Sequence, residues 1–232
     1  MSVPKTVGDV FESAKAPYSH MSEEDARLFY GTMNALLVYA NQRLHVVKPS
    51  SLRPRPGCPD MLYVNGGRVS EALWRNRAII DDFVRENPLG VSPAQIETAR
   101  PWRHALRDMF TVIDANEDRA LYMNEDRIFV VGAAQDPADA HVHHIPSLML
   151  LTLVPFKGGI LTDGKTLHLS PRPVSWAIPL IGEQIARLAA HRPIATAHQL
   201  EVYIRDVPDG ENRVSERFQR IVDRGFASGE IA

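Results

Sequence analysis

The residues in this sequence that are best suited to chemistry are three histidines in a run of four, His141-Val142-His143-His144. Imidazole is the commonest side-chain ligand of transition metals, and an extended segment would place His141 and His143 on the same side. Asp136 and Asp139 are close enough in sequence to add a carboxylate. The spacing is compatible with one divalent metal ion and a metal-dependent hydrolase. Solvated histidines in an Ala/Asp/Pro-rich connection would give the same pattern.

The single cysteine and a double glycine offer weaker chemistry. Cys58 lies in a proline-rich arm with no indicated base beside it, which favours a packed or surface thiol. The segment Asn65-Gly66-Gly67-Arg68 lacks the glycine spacing of the phosphate-binding loops, and it is predicted to be a turn before a helix that runs from Ser70 to Glu86. No nucleophile elbow and no H-E-x-x-H motif occurs in the sequence. We therefore expect no catalytic residue and no cofactor, with one divalent metal ion as the alternative.

Arginines near the C-terminus favour binding over catalysis. A last helix is predicted over residues 212–224, and its spacing would align four arginines in one stripe beside an apolar face. They are Arg213, Arg217, Arg220 and Arg224. Such a stripe could contact an acidic protein or a phosphate backbone. Glu216 and Asp223 could equally neutralise it within the helix.

A second candidate surface lies in the middle of the chain. Trp102 and Arg103 lead into a predicted sheet, and Phe156, Lys157 and Asp163 stand at the two ends of a predicted hairpin strand. An exposed aromatic beside a charge on a small barrel is a common means of binding a peptide or a nucleic-acid strand. The alternative is that the two aromatic side chains belong to the core.

The elements that position these residues follow from the hydrophobic period. Ser22 is predicted to cap a helix with a buried stripe from Ala26 to Leu44, and Ser92 followed by Pro93 starts another helix. From residue 109 the period changes to that of short strands separated by tight turns. The strands are predicted at 109–113, 119–123, 127–132, 148–154, 159–162 and 166–169. A helix broken at Pro179 is then predicted from 173 to 190.

These elements predict an α+β fold with an N-terminal helical half, a small bent antiparallel sheet or SH3-like barrel, and C-terminal helices. The predicted regions are an N-terminal helix with a proline-rich arm (1–60), a helical region (61–108), the sheet (109–170) and a C-terminal helical region (171–232). Residues 61–200 are expected to fold as one unit.

One set of motifs resembles a family of bacterial proteins that carry an "ENP…W…F" helical lead-in and an "LPFKGKIIYDG" hairpin. The matching residues are Glu86-Asn87-Pro88, Ser92, Trp102-Arg103-His104, Met109-Phe110, Pro155-Phe156-Lys157-Gly158 and Asp163-Gly164. The resemblance covers roughly Glu71 to Leu200. The chain departs from the hairpin motif at Gly159, Thr162 and Lys165. Because the family is uncharacterised, the resemblance implies a fold class and no activity.

The bulk composition limits the partners. A net charge of −2 over 232 residues argues against a protein drawn to nucleic acid or to anionic lipid by its overall charge. No apolar run approaches the roughly 20 residues of a membrane helix, and the first residues contain no signal sequence. We therefore expect a cytoplasmic, non-catalytic binding or regulatory protein. Its partner is expected to be a protein, with nucleic acid second, and the sequence leaves the oligomeric state open.

Overall fold

The computed structural model describes residues 12, 16–52, 59–140, 142, 144–170, 177–206, 213–214, 219–220 and 223–224. Within these residues, four α-helices with defined bounds precede the sheet, and they are α1 (Glu23–Leu44), α2 (Pro59–Arg75), α3 (Ala78–Glu86) and α4 (Pro93–Ala99). Six strands follow, and they are β1 (Leu106–Ala115), β2 (Arg119–Met123), β3 (Ile128–Gly132), β4 (Ser147–Phe156), β5 (Gly159–Thr162) and β6 (Leu167–Ser170). Helices α5 (Ala177–Leu188) and α6 (Ala197–Asp206) follow the sheet, and residues 219–220 and 223–224 are also helical. The predicted α+β fold is confirmed.

The chain divides into two compact units that each combine separate segments. Met1–Glu23 and His104–Arg213 form one, which we call the sheet unit. Glu24–Arg103 and Val214–Ala232 form the other, the helical unit. None of the described helices is long and apolar enough to cross a membrane.

In the helical unit, the predicted stripe of α1 is buried. Phe29 and Leu36 are fully inaccessible to solvent, and Phe29 packs edge-on against Trp102 at a ring separation of 5.4 Å. Trp102 lies in a 3-10 turn, Arg100–His104, directly after α4. Helix α4 begins as predicted, because Ser92 and Gln95 form a reciprocal capping box ahead of its first turn.

The predicted turn at residues 65–68 is wrong, since these residues lie within helix α2. Glycine costs about 1 kcal/mol in a helix, but tertiary packing can outweigh that cost. Val69, Leu73 and Trp74, later in the same helix, are each no more than 1% exposed, which supplies that packing. The break falls instead at residues 76–77, between α2 and α3.

In the sheet unit, the strands pair antiparallel in the order β3-β2-β1-β4-β5, and β6 pairs with β4 beside β5. Two asparagines close the first two hairpins. The side-chain oxygen of Asn116 accepts hydrogen bonds of 3.0 Å from two backbone amides of the following turn, and Asn124 makes the equivalent pair at 2.9 Å. These local turns explain why the predicted strands agree with the observed ones.

The sheet curls into a half-barrel, which brings β3 and β5 into contact although they stand at opposite ends of the pairing order. Its inner face holds an apolar cluster that includes Phe110, Phe129 and Leu151, and α6 adds Leu200 and Ile204 to it. Its outer face is covered by α5 through Leu188, with Ile181 and Ile185 packed alongside.

Helix α6 was not predicted. The predicted break at Pro179 is also absent, because this residue lies in the first turn of α5, where a proline removes no intrahelical hydrogen bond.

The seam between β3 and β5 is covered by the segment that precedes α1. Gly132 of β3 and Gly159 of β5 both lie against Tyr18, whose ring meets the edge of Phe156 at 5.4 Å. The amide of Met21 donates a hydrogen bond of 3.1 Å to the carbonyl of Ala134. This segment therefore seals the half-barrel along its open side.

Candidate functional site

A small pocket opens into the inner face of the half-barrel. Its volume is about 60 Å³. It is lined by Ala120, Tyr122, Val131, Gly132, Pro137, Ala138, Val142, Met149, Thr162 and Thr166. The lining therefore combines apolar groups with three hydroxyl side chains, and it contains no charged residue among those that the structure describes. Clefts in the mouths of β-barrels with a few polar groups are common ligand sites.

The pocket has a buried floor and a partly exposed rim. Ala120 and Val131 face each other across the β2–β3 pair, and Met149 of β4 completes the apolar part of the floor at 1% exposure. Thr162 and Thr166, at the end of β5 and in the turn after it, are only partly buried and form one side of the rim. The opening thus carries hydroxyl groups while the interior is apolar.

Tyr122 is the polar group of the floor. Its side chain is on the inner face of β2, the residue is 7% exposed, and its ring packs edge-on against Phe110 at 6.0 Å. Burial alone raises the pKa of Tyr122 to about 12, so the phenol is protonated at neutral pH. No hydrogen bond to its hydroxyl is found within the described part of the chain. The hydroxyl is not one of the polar atoms that are both fully inaccessible and without a partner, so a group that enters the pocket can reach it.

Near the pocket, Ser147 Oγ and His144 Nε2 are fully buried and have no hydrogen-bond partner among the described residues. Ser147 stands opposite Val112, which in turn stands opposite Tyr122, so one row of the inner face carries two hydroxyl groups without partners. On β4 the side chain of Ser147 also shares its face with Met149, two residues along. Near the pocket, the polar side chains therefore offer more hydrogen-bond donors and acceptors than the described residues engage.

The other side of the rim comes from the connection between β3 and β4. Ala138 donates its amide to the carbonyl of Glu117 at 3.0 Å, and the amide of Val142 closes a turn on Asp139 at 3.0 Å. The predicted metal ligands His141 and His143 lie outside the described residues. Within the described ranges, no group of three His, Cys, Asp or Glu side chains is arranged to hold a metal ion.

A polar network lies at the opposite end of the inner face, where α6 meets the sheet. The Asn124 side-chain amide donates to Asp108 at 2.9 Å and to the Tyr203 hydroxyl at 3.1 Å. That hydroxyl donates to Asp126 at 3.3 Å and accepts from Arg213 at 2.8 Å. Arg213 also pairs directly with Asp126, and its Nε is 3.6 Å from Asp108. The five side chains thus satisfy one another around a half-buried guanidinium.

The electrostatics of this network follow from its burial. Burial raises the pKa of Asp108 despite its hydrogen bonds from Asn124 and from the amide of Met109. Burial likewise raises the pKa of the Tyr203 phenol. Burial alone would lower the pKa of Arg213, but the hydrogen bond to Asp126 and the nearby negative charges raise it overall. Since every member has a partner, the network serves to attach the chain at Arg213 to the sheet.

Arg213 therefore does not belong to an exposed helical stripe, and that prediction is wrong for this residue. Its backbone is not helical, its amide donates to the carbonyl of Arg107 at 3.1 Å, and its side chain is 17% exposed. Arg217 lies outside the described residues, whereas Arg220 and Arg224 are exposed. The i, i+4 spacing of arginines was a misleading signal because the helix does not extend back to residue 213.

The predicted aromatic surface is also corrected. Trp102 is fully buried and Phe156 is 3% exposed, so both belong to the core and cannot contact a partner directly. Arg103 pairs with Asp81 at 3.1 Å in the helical unit. In the sheet unit, Lys157 is exposed at a turn with its Nζ 5.9 Å from the ring centroid of Phe156.

Asp163 is buried in the turn between β5 and β6, which both pair with β4. It is 2% exposed, its amide donates to Thr152 at 3.0 Å, and its carboxylate accepts from the amide of Lys165 at 3.0 Å. Its role is to shape the turn that carries Thr166 to the pocket rim. No sequence signal indicated the pocket, because its lining comes from four strands and two connections.

The comparisons with known proteins found no matching family model, no matching curated protein and no matching solved structure.

Proposed function

We propose that this chain is a binding protein whose half-barrel receives a small group of a ligand. The observation that carries the proposal is Tyr122, whose side chain is largely buried on the floor of a pocket and whose hydroxyl has no hydrogen-bond partner among the described residues. A perturbed polar group inside a concave, mostly apolar site is the usual mark of a ligand site. The expected absence of catalysis remains a prediction.

The volume of the pocket limits what enters it. An engineered apolar cavity of about 150 Å³ binds benzene, whereas one water molecule occupies about 30 Å³ of the liquid. A pocket of about 60 Å³ therefore accepts roughly two to three heavy atoms. The remainder of a larger ligand would lie outside the rim, beside Thr162 and Thr166.

A pair of rim variants tests this function. Ala138 lines the pocket, and Ala140 is an exposed residue of the same turn that does not line it. We expect Ala138→Phe to weaken the binding of a fragment library, measured by saturation-transfer NMR on the full chain, and Ala140→Phe to leave it unchanged. Binding that is equally insensitive to both substitutions, or no binding to the wild-type chain, would contradict the proposal.

A protein partner, the function expected from the sequence, is favoured by one separate observation. Ile178 and Leu180, in the first turn of α5, are 52% and 55% exposed, while Ile185 and Leu188 of the same helix pack onto the sheet. Because residues two positions apart on a helix project in different directions, the two side chains expose apolar surface on different sides of this end of α5. We propose that this exposed end of α5 contacts a second copy of this chain.

Native mass spectrometry of the purified chain tests this contact. We expect a dimer that Ile178→Ser with Leu180→Ser converts to a monomer. Val202→Ser, which changes an exposed aliphatic residue of α6, is the control and should preserve the dimer. A wild-type monomer, or a dimer that survives the double substitution, would rule out this surface as a self-contact.

A further inference from the structure

The chemistry of the pocket lining indicates the class of ligand group that it can accept. The first constraint is charge. All ten lining residues are apolar, glycine or hydroxyl-bearing, so the described lining offers no counterion to a charged group. Moving a carboxylate or an ammonium group into such a site costs several kcal/mol unless a partner compensates. The ligand group that enters is therefore neutral.

The second constraint is the hydrogen bond available on the floor. With the pKa of Tyr122 at about 12, its phenol retains its proton and can donate a hydrogen bond throughout the physiological pH range. A neutral acceptor such as an amide or ketone carbonyl matches this donor. An alkyl group of the same size would leave the hydroxyl unsatisfied, which costs about as much as a lost hydrogen bond.

The third constraint is shape. Ala120, Val131 and Met149 leave an apolar space beside the phenol, and an unbranched thioether adapts to small differences in the size of a ligand. A methyl or methylene group attached to the carbonyl would occupy this space. The volume of about 60 Å³ accommodates an acetyl or primary amide group and excludes an aromatic ring.

We propose that the half-barrel pocket binds the neutral carbonyl of an acetyl or amide group, with the Tyr122 hydroxyl as the hydrogen-bond donor and the apolar floor around the adjoining methyl group. This inference rests on the proposed function, because it names the ligand class of the same pocket. It also assigns a specificity-determining role to Tyr122, a residue that no sequence motif singles out.

Acetamide and acetate are suitable probes because each has four heavy atoms in nearly the same shape and only acetate is charged. The chain is labelled with ¹³C at the methionine methyl groups, and the Met149 resonance is assigned with the Met149→Leu variant. We expect acetamide to shift this resonance saturably in the millimolar range at neutral pH, and acetate at the same concentration to leave it unshifted. An acetate shift that saturates at equal or lower concentration would overturn the ligand class.

Two tyrosine variants then test the donor. Tyr122→Phe removes only the proposed hydroxyl, and it should weaken acetamide binding about three- to tenfold, the usual loss for one hydrogen bond. Tyr39→Phe, which removes a hydroxyl of the helical unit, should bind acetamide as the wild type does. Equal affinity of Tyr122→Phe and wild type would overturn the role of Tyr122.

The outcomes separate this inference from the proposed function. Fragment binding that Ala138→Phe weakens, combined with no response to acetamide or with a preference for acetate, leaves the binding function in place and overturns the carbonyl assignment. If Ala138→Phe affects neither fragments nor acetamide, both are overturned. If Tyr122→Phe and Ala138→Phe each weaken acetamide binding, the result supports the binding function and the carbonyl assignment together.

Discussion

Gly132 lies so close to Tyr18 that a Cβ atom on the glycine would stand 2.2 Å from the tyrosine carbonyl oxygen. Nothing in the local sequence of β3 indicates this requirement, since Gly132 ends an otherwise apolar strand. The absence of a side chain allows the segment before α1 to cross the seam of the half-barrel.

The first prediction concerns this approach. Gly132→Ala should lower the free energy of unfolding by about 1–3 kcal/mol, because the backbone of residue 18 must move away from the seam. Gly182→Ala is the control, since a Cβ atom there meets nothing within 4 Å and the residue lies inside helix α5. It should stabilise the chain by about 0.5–1 kcal/mol. Urea unfolding followed by circular dichroism measures both, and equal effects of the two substitutions would show that the seam is not closed by Tyr18.

The second prediction compares two buried tyrosines. Tyr203→Phe removes a hydroxyl that exchanges hydrogen bonds with Asn124, Asp126 and Arg213, so it should cost about 1–3 kcal/mol of stability. Tyr122→Phe removes a hydroxyl without a described partner, so the variant should stay within about 0.5 kcal/mol of the wild type or exceed it. Thermal and urea unfolding of the ligand-free chain measure the stability of both variants. A large loss for Tyr122→Phe would reveal a hydrogen-bond partner for Tyr122 within the protein itself.

The third prediction concerns pH. Because burial raises the pKa of Asp108 above its ordinary value of 3.8, the folded state binds this proton more tightly than the unfolded chain does. The stabilising contribution is complete below pH 3.8 and is lost as the pH rises through the folded pKa. The stability of Asp108→Asn relative to the wild type should therefore increase with pH over this window and then level off. A relative stability that falls with pH would mean that Arg213 lowers the pKa more than burial raises it.

The fourth prediction separates two arginines that the sequence placed in one stripe. Arg213→Met leaves Asp108 and Asp126 without their shared counterion, so it should destabilise the chain by about 2 kcal/mol or more. Arg220→Met changes an exposed residue and should stay within about 0.5 kcal/mol of the wild type. Equal effects in urea unfolding would contradict the buried position of Arg213.

The elements predicted from the sequence agree with the structure where neighbouring residues determine them, and they differ where residues distant in the sequence do. The strands were predicted closely because alternation and the turns at Asn116 and Asn124 are local signals. Helix α2 was missed because a double glycine suggests a turn, and only packing around Leu73 and Trp74 overrides it. The pocket and the polar network could not be predicted, because each combines residues from distant segments. Of the network residues, only Asp108 has a signal in the sequence, because it is a charged residue between the inward-facing Leu106 and Phe110 of β1.

The composition of the sheet unit also has a consequence for synthesis on the ribosome. Tyr18 emerges long before Gly132 and Gly159, the glycines that it must cover, and Arg213 is the last residue of the unit to appear. The free side of β3 is likewise paired only when Ile194 arrives to exchange backbone hydrogen bonds of 2.8 and 2.9 Å with Val130 and Ile128. A growing chain therefore carries an unprotected strand edge from the synthesis of β3 until Ile194 appears, and this is the interval in which a chaperone or a neighbouring nascent chain would find it.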